Sequence, residues 1–214
     1  MGMTRSDSTR TFLTEWESRA LLALPGPAQA LTRSVTEAVD FAARYERVVA
    51  KVSGVAHKTE VDGVRLNLSV AGVRACWAEL AALGDGTVIV AEQVTGSHEL
   101  IIGAVRDPQF GPVVTIGFGG ELTELLDDAV ALLAPVEEGE LERAISTLRT
   151  APLFYGYRGH PAVDLVAIRA ILDRLSAVLD EDPAVVEIDC NPVVVRNGKP
   201  CVLDALVVVE AGRA

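Results

Sequence analysis

Cysteine is scarce in this chain, and what there is does not form a recognisable pattern. The 214 residues include three cysteines, Cys76, Cys190 and Cys201, and none of them lies in a CxxC motif. Three thiols cannot all pair with one another, so the sequence indicates neither a disulfide framework nor a thiolate zinc site. We therefore expect a protein of a reducing compartment, the cytoplasm.

Basic side chains are also few relative to acidic ones. The chain has 19 Lys and Arg against 30 Asp and Glu, for a formal net charge of −11. Duplex DNA and anionic membranes are bound through an excess of basic side chains, so we expect neither nucleic acid nor a membrane as partner. The first residues lack the apolar core of a signal peptide, and no apolar run approaches about 18 residues. The sequence therefore predicts neither export by that route nor a membrane span.

The common motifs of nucleotide binding and hydrolysis are missing as well. The sequence contains no GxxxxGK[ST], GxGxxG, HExxH or GxSxG, which removes the main support for P-loop, Rossmann, zincin and hydrolase assignments. Half of the residues are apolar and 23% are charged, so there is ample material for a core. A nucleotide, if one binds, needs a different architecture.

Helix and strand patterns alternate along the chain. Thr14 and Glu17 form a capping box for a first helix that ends before Pro25-Gly26-Pro27. The hydrophobic periodicity predicts strands at 48–52, 64–69, 87–94, 99–106, 113–118, 185–189, 193–196 and 201–209, and further helices at 34–45, 70–83, 123–133, 138–149 and 161–179. This alternation indicates an α/β or α+β protein. We divide it into a flexible segment at 1–11 and two lobes at 12–86 and 87–214, with the boundary at Gly84-Asp85-Gly86.

A hairpin near the C-terminus brings oxygen ligands together. Asn197-Gly198 is the dipeptide typical of a two-residue turn, and counting outward from it places Asn191 opposite Asp204. The two-residue period puts Glu187 and Asp189 on the same face as Asn191. Such oxygens suit Mg²⁺ bound together with substrate phosphates. A solvated acidic hairpin edge is the alternative.

A few further residues have both a functional and an ordinary interpretation. Lys51 interrupts the apolar strand Val48–Val52, so it either pairs with an anion such as a nucleotide phosphate or faces solvent. His57 is either a phosphate acceptor or an ordinary loop histidine. Gly119-Gly120 either lets backbone N–H groups approach an oxyanion or merely turns the chain. Arg158 either binds a phosphate or forms a structural ion pair.

These segments together carry a resemblance to a known family. The matching segments are Lys51 with His57–Glu60, Gly63–Leu66, Glu99–Gly103 with Arg106–Pro112, Gly117–Gly120, Gly156–Gly159 and Glu187–Pro192. In order and approximate spacing, from Phe12 to Val209, they resemble the ATP-grasp domain of the NDP-forming acyl-CoA synthetases. That group includes ADP-forming acetate–CoA ligase and is related to the β subunit of succinyl-CoA synthetase. The resemblance implies an ATP-grasp fold whose two lobes clasp ATP or ADP.

The resemblance also implies roles for individual residues. Lys51 matches the lysine on the phosphates, His57 the histidine proposed to relay the phosphoryl group, and Arg158 a further catalytic group. The remaining positions are those implied at the nucleotide, Glu92, Val94, Glu99, Gly119 and Gly120, and those implied on Mg²⁺, Asn191 and Asp204. The implied partner is a CoA-binding α-type subunit or domain, which binds the acyl-CoA and carries a phosphohistidine.

Two functions of different classes follow from the resemblance. The first is the nucleotide-binding subunit of an acid–CoA ligase (ADP-forming), inactive without its CoA-binding partner. The loop from Lys51 to His57 is shorter than the family's and lacks its usual Pro-Asp. The alternative is therefore a non-catalytic ATP/ADP-binding module that regulates or scaffolds such a complex.

Overall fold

The computed structural model describes residues 10–56, 58–120 and 128–210. In these ranges the strands are β1 (Arg10–Phe12), β2 (Gln29–Thr32), β3 (Val48–Val52), β4 (Val64–Leu68), β5 (Val88–Glu92), β6 (His98–Asp107), β7 (Gly111–Phe118), β8 (Ala129–Leu133), β9 (Val185–Arg196), β10 (Lys199–Val202) and β11 (Leu206–Glu210). The helices are α1 (Glu15–Leu22), α2 (Val35–Ala42), α3 (Val70–Leu83), α4 (Glu140–Ser146), α5 (Ala151–Phe154) and α6 (Leu165–Glu181).

The strands form two antiparallel sheets. The smaller has the order β2-β5-β3-β4, and the larger has the order β1-β11-β9-β6-β7-β8 with β10 paired to β9. We call the smaller sheet with α2 and α3 the small lobe, and the larger sheet with the other helices the large lobe. The predicted two-lobed α+β fold is confirmed. No helix in the described ranges combines the length and apolarity needed to cross a membrane.

Each lobe has its own core beneath its helices. In the small lobe Val73 and Leu80 of α3 pack among buried strand residues such as Val90. In the large lobe the apolar stripe of α6 packs against β6, where Leu100 and Ile102 are buried. Side chains alternate across a strand, so the intervening β6 positions project from the opposite face of the sheet. That face is turned towards the small lobe around Glu99, which lines the space between the lobes.

The first described segment belongs to the large lobe. Strand β1 pairs with β11, where the sequence predicted a flexible segment through residue 11; residues 1–9 lie outside the described ranges. Helix α1 follows directly, and Val207 N donates to Ser18 Oγ at 3.1 Å. Conversely, β5 belongs to the small sheet although it lies beyond the predicted boundary at residue 86. The sheets therefore do not coincide with the predicted lobes 12–86 and 87–214.

Local sequence signals account for most element boundaries. The capping box is present, since Thr14 Oγ1 accepts from Glu17 N and the Glu17 carboxylate accepts from Thr14 N. Helix α3 has the bounds predicted from its periodicity. The helix predicted at 123–133 is wrong over Ala129–Leu133, which forms β8 alongside β7; residues 121–127 lie outside the described ranges. An apolar run such as Ala-Val-Ala-Leu-Leu fits either state, and pairing with β7 decides it.

The predicted hairpin register is confirmed. Arg196 lies opposite Lys199, and Pro200 lies opposite Val195. Asn197 and Gly198 both have positive φ, 52° and 79°, as a type I′ turn requires. Leu203 N donates to Pro192 O at 3.0 Å, so the same register continues to the pair next to Asn191 and Asp204. The strands predicted at 185–189 and 193–196 form one strand, β9.

Replacing Gly198 by alanine is expected to destabilise the protein by about 2–4 kcal/mol. Besides the positive φ, a Cβ at this position would lie 2.6 Å from Ala162 O. Gly86→Ala is the matched control, because Gly86 has φ +88° but no atom within 4 Å of its Cβ position. The control should lose only the left-handed backbone cost of about 1–2 kcal/mol. Denaturant unfolding measures both, and equal losses would contradict the close approach to Ala162.

Candidate functional site

A cleft of about 720 Å³ lies between the two lobes. Its lining includes Val49, Lys51 and Ala91 from the small sheet, the connecting segment from Gln93 to Ser97, and Glu99, Asn191 and Val194 from the large sheet. The predicted residues Lys51, Glu92, Val94, Glu99, Asn191 and Asp204 all line this one space. Residues far apart in the sequence thus meet where the lobes face each other.

Lys51 reaches from the small lobe across the cleft to the large lobe. It lies on β3, whose five residues are all buried. Its ammonium donates to Glu15 Oε1 at 2.8 Å and to Leu203 O at 2.7 Å. A buried ammonium needs such partners to offset its lost hydration. The anion that the strand pattern predicted for Lys51 is, in this structure, the carboxylate of Glu15.

Lys58 makes a second contact between the lobes. Its ammonium donates to Asp204 at 2.9 Å from Oδ1 and 2.8 Å from Oδ2, and lies 3.1 Å from Glu15 Oε2. We call Glu15, Lys51, Lys58 and Asp204 the ion cluster. Burial lowers the pKa of the Lys58 ammonium, but the neighbouring Glu15 and Asp204 carboxylates outweigh burial and hold that pKa above its ordinary value. Lys58 is therefore charged at neutral pH.

Glu15 is the most enclosed member of the ion cluster, with a side-chain exposure of 0%. Burial raises the pKa of its carboxyl, yet Lys51 and Lys58 together bring that pKa below its ordinary value. Its Oε2 accepts no well-aligned hydrogen bond from any described residue, so attraction to Lys58 is electrostatic. Asp204 differs, because burial and the Glu15 charge keep its pKa above the ordinary value despite the two lysines.

Several contacts fix the position of Glu15. It is the first residue of α1, directly after the Thr14 cap. Arg19 on the same helix donates to Val202 O at 2.9 Å. Arg174 on α6 donates to the carbonyl oxygens of Leu21 and Leu22 at 2.9 and 3.2 Å, which satisfies acceptors at the C-terminal end of α1. These contacts hold the last turn of the helix, and Leu13 N, which donates to Val207 O at 2.9 Å, holds its start. The carboxylate is thereby fixed as well.

The connecting segment closes one end of the cleft. Glu92 lies 3.4 Å from the Arg196 guanidinium across the two lobes, and the Gln93 side chain accepts from Asn67 N at 2.8 Å. His98 also lines the cleft, and its ring packs edge-on against His160 at 5.7 Å between centroids. Burial, assisted by His160, lowers the pKa of His98. This imidazole is therefore neutral at pH 7.

Three predicted residues lie beside the cleft or away from it. Gly119 N donates to Glu99 O at 2.8 Å, and a Cβ on Gly120 would lie 3.6 Å from Glu99 Oε2, so both glycines adjoin Glu99. The Arg158 side chain is exposed and lies over the Tyr157 ring at 5.3 Å. The structure does not bring Arg158 to Lys51. The prediction for His57 lies outside the described residues.

The acidic face predicted on β9 is only partly assembled. Asn191 and Asp204 line the cleft, whereas Glu187 and Asp189 do not. Register shifts between β6 and β9 next to Asn191, as expected for a bulge that redirects side chains. Cys190 faces the core, where burial raises the pKa of its thiol to about 12, so it is not a thiolate ligand.

Asn191 and Asp204 offer the kind of donors that a hard cation takes. Both present oxygen atoms to the same cleft, and Mg²⁺ typically binds one or two carboxylates together with substrate phosphates. The described part of the chain holds no group of three or more His, Cys, Asp or Glu side chains suited to a metal. The residues present therefore fit a cation that arrives with a phosphate ligand.

Glu15 is the site residue that sequence reasoning missed. It stands in the first turn of a capped helix, where acidic residues are common for helix-dipole reasons alone. Lys58 was recognisable only as one of several basic residues. Glu15 carries no motif, and Lys58 has no signal beyond its place in the His57–Glu60 segment. The position of Glu15 beside Lys58 follows from the pairing of β1 with β11.

The geometry defines a class of protein. Two antiparallel sheets enclose one cleft, with a lysine from the small lobe facing an amide and a carboxylate of the large lobe. This is the architecture of ATP-grasp proteins, and the comparisons agree. The chain belongs to the ATP-grasp family: the model of the ATP-grasp domain matches residues 4–209.

Within this family, the chain is similar to several ADP-forming acetate–CoA ligases. The β subunit of acetate–CoA ligase [ADP-forming] II from Pyrococcus furiosus is 30% identical, over 94% of this chain and 93% of that subunit. Acetate–CoA ligase [ADP-forming] I from Archaeoglobus fulgidus is 34% identical over 81% of this chain, but over 27% of the relative. The chain spans about 27–31% of the length of the first three curated relatives it matches.

Solved structures show the same fold. Acetyl-coenzyme A synthetase 1 of Ca. Korarchaeum cryptofilum, in complex with coenzyme A, Ca-AMPCP and HgCl+, matches with a TM-score of 0.83 and 33% identity, covering 92% of this chain and 93% of that chain. Another structure of that protein holds coenzyme A and Mg-AMPPCP. Its phosphohistidine segment points towards the nucleotide-binding site, and it matches with a TM-score of 0.77 and 33% identity over 91% of each chain.

Proposed function

We propose that this chain is the nucleotide-binding component of an NDP-forming acyl-CoA synthetase. In this proposal it transfers a phosphoryl group between ATP or ADP and a phosphohistidine carried by a CoA-binding partner. The overall reaction is acyl-CoA + ADP + phosphate = acid + CoA + ATP. The observation that carries the proposal is the convergence of Lys51, Asn191 and Asp204 from two lobes on one cleft.

The residues of the cleft suit the parts of a nucleotide. Glu92 at the end of β5 and Val94 in the connecting segment would receive the base, and Glu99 beside Gly119-Gly120 would adjoin the sugar and phosphates. Lys51 lines the cleft, and Lys58 lies behind it on Asp204, which also lines the cleft; both lysines would neutralise phosphate oxygens. Phosphoryl transfer requires mainly positioning and charge neutralisation, and two ammonium groups positioned by the enclosed Glu15 carboxylate would supply both.

Asn191 and Asp204 would hold Mg²⁺ with the nucleotide phosphates. The ion, when bound, would neutralise charge on the phosphoryl oxygens. Asp204 is suited to exchanging Lys58 for Mg²⁺ because its side chain is 26% exposed, whereas the Glu15 side chain is enclosed. Lys58 donates to both Asp204 oxygens, and Mg²⁺ would replace it there.

The CoA-binding function is assigned to a partner. This chain matches nearly the whole of the Pyrococcus furiosus β subunit, and about a quarter of the longer Archaeoglobus fulgidus ligase. In the Korarchaeum cryptofilum structure the phosphohistidine segment points towards the nucleotide-binding site. By analogy, an α-type subunit or domain would bring the phosphohistidine to the open side of this cleft and bind the acyl-CoA.

One experiment tests binding and transfer in order. The full chain is melted with and without ATP and Mg²⁺; a ligand at 100 times its Kd stabilises by about 2.7 kcal/mol. The chain is then mixed with its co-purifying CoA-binding protein, acyl-CoA, ADP and phosphate, and ATP is measured. ATP formation is the expected result. If ATP and Mg²⁺ leave the melting temperature unchanged, nucleotide binding is excluded. If they raise it but no ATP forms in the mixture, the ligase function is excluded.

The placement of Arg158 outside the cleft favours a second candidate, a non-catalytic ATP/ADP-binding module that regulates or scaffolds its complex. Radioactive phosphate from γ-labelled ATP separates the two candidates. The ligase function predicts label on the chain that disappears in His57→Ala. The module predicts nucleotide affinity with no label on either variant.

A further inference from the structure

We propose that Glu15 makes the cleft select a metal-complexed nucleotide over the free polyphosphate anion. It does so by holding and neutralising Lys51 and Lys58 from the opposite lobe. The inference rests on the proposed function, because it concerns the same nucleotide. It makes Glu15 a specificity-determining and positioning residue, without contact to the reacting atoms.

The charge around the cleft supports this role. Lys51 and Lys58 are matched by Glu15 and Asp204 within 3.1 Å. Glu92 and Glu99 add two further carboxylates to the lining; within the part of the chain that the structure describes, Glu92 has an arginine at 3.4 Å and Glu99 has no ion pair. Counted over the described residues, the cleft has no excess positive charge. A free triphosphate therefore gains little from entering, whereas a nucleotide that brings a divalent cation carries its own compensation.

Glu15 and Asp204 have different parts in this balance. Asp204 is partly exposed, lines the cleft and is free to exchange Lys58 for a cation. Glu15 has no exposed side-chain surface, and its helix is held through Leu13 at the start and through Arg19 and Leu21 in the last turn. Its charge therefore stays with the lysines whether or not a nucleotide is bound. The selectivity is thus a permanent property of the cleft, set by Glu15.

The test measures two dissociation constants of ATP for the full chain, one in EDTA and one in excess Mg²⁺, by isothermal titration calorimetry. The quantity of interest is their ratio, metal-free over Mg²⁺-bound. Glu15→Gln keeps the size of the side chain and removes its charge. We expect metal-free ATP to bind about 3- to 10-fold more tightly, with a smaller change for Mg²⁺-ATP, so the ratio falls.

A matched control and a graded variant make the test specific. Glu17→Gln removes an equal charge from the same helix, at an exposed position that belongs to the capping box, and should leave the ratio unchanged. Glu15→Asp retains the charge but withdraws it by one methylene group, so its ratio should fall by about 2-fold. This variant tests the inference even if the glutamine variant does not fold.

The ratio of the two dissociation constants in the Glu15 variants either supports or contradicts the inference. A ratio that decreases from wild type through Glu15→Asp to Glu15→Gln supports the inference. Equal weakening of both forms of ATP would show that Glu15 is merely structural, and an unchanged ratio in folded variants would show that it has no part in selection. If the wild-type protein binds neither metal-free ATP nor Mg²⁺-ATP, that result contradicts the proposed function itself and is distinct from the outcomes above.

Discussion

Replacing Lys51 by methionine should weaken binding of Mg²⁺-ATP by about 10- to 100-fold, since a hydrogen bond to a charged group contributes about 1.5–3 kcal/mol. The same change should lower the free energy of unfolding by about 2–4 kcal/mol. The reason is that the buried Glu15 carboxylate would lose the ammonium 2.8 Å from its Oε1 and keep only Lys58, 3.1 Å from its Oε2, and a buried charge that loses a partner is costly. Calorimetry and denaturant unfolding measure the two effects.

Lys199→Met is the control for this prediction. Lys199 lies at the exposed end of the β9–β10 hairpin, so its replacement removes the same charge without touching the cleft. Both the affinity and the stability of this variant should stay close to those of the wild type. Undiminished affinity in a folded Lys51→Met protein would remove Lys51 from the nucleotide site.

Replacing Asp204 by asparagine should reduce the Mg²⁺-dependent part of nucleotide binding by about 10-fold or more at limiting magnesium. An amide keeps one oxygen but lacks the negative charge that hard cations prefer. Metal-free ATP should bind as well as in the wild type or better, because Lys58 is released from its two bonds to this carboxylate. A titration of Mg²⁺ at fixed nucleotide concentration measures the difference.

Asp189→Asn provides the comparison. Asp189 lies on β9 two residues from Asn191 but outside the cleft lining, so its variant should titrate with magnesium as the wild type does. If Asp204→Asn and the wild type need the same magnesium concentration for half-maximal nucleotide binding, Asp204 is not the metal ligand. The hairpin would then have no metal-binding role in the proposed function.

What the sequence predicted best are features whose cause is local. The Asn197-Gly198 turn fixes its own register, because both residues adopt the left-handed conformation that the strand twist demands. The positions of Asn191 and Asp204 follow by counting along two strands. Lys51 was identifiable because an ammonium in a buried strand requires a partner.

Features that depend on distant parts of the chain were not predicted. Glu15 reaches Lys51 and Lys58 because β1 pairs with β11, nearly 200 residues further along, and residues 10–22 contain no signal of that pairing. The same holds for β8, whose apolar residues fit a helix until β7 is placed beside them. Tertiary pairing overrides local preference in both cases.

Arg158 shows a different difficulty. Its position between two glycines suggested a charge presented to a ligand, but the direction of a loop is not contained in residue spacing. In the structure Arg158 has a positive φ of 48° and stacks on its neighbour Tyr157. A cation next to an aromatic ring can find its partner within the loop itself.

The seating of the first helix against the last strand has a consequence for biosynthesis. Residues 10–22 are translated well before β11, which ends at Glu210, so the two cannot join until residue 210 has been made. The small sheet, built from residues 29–92, is complete much earlier. During that interval Lys51 lies on a complete sheet, but Glu15 has no strand β11 against which its helix can pack. Assembly of the ion cluster is therefore a late step, with the slow closure expected of contacts distant in sequence.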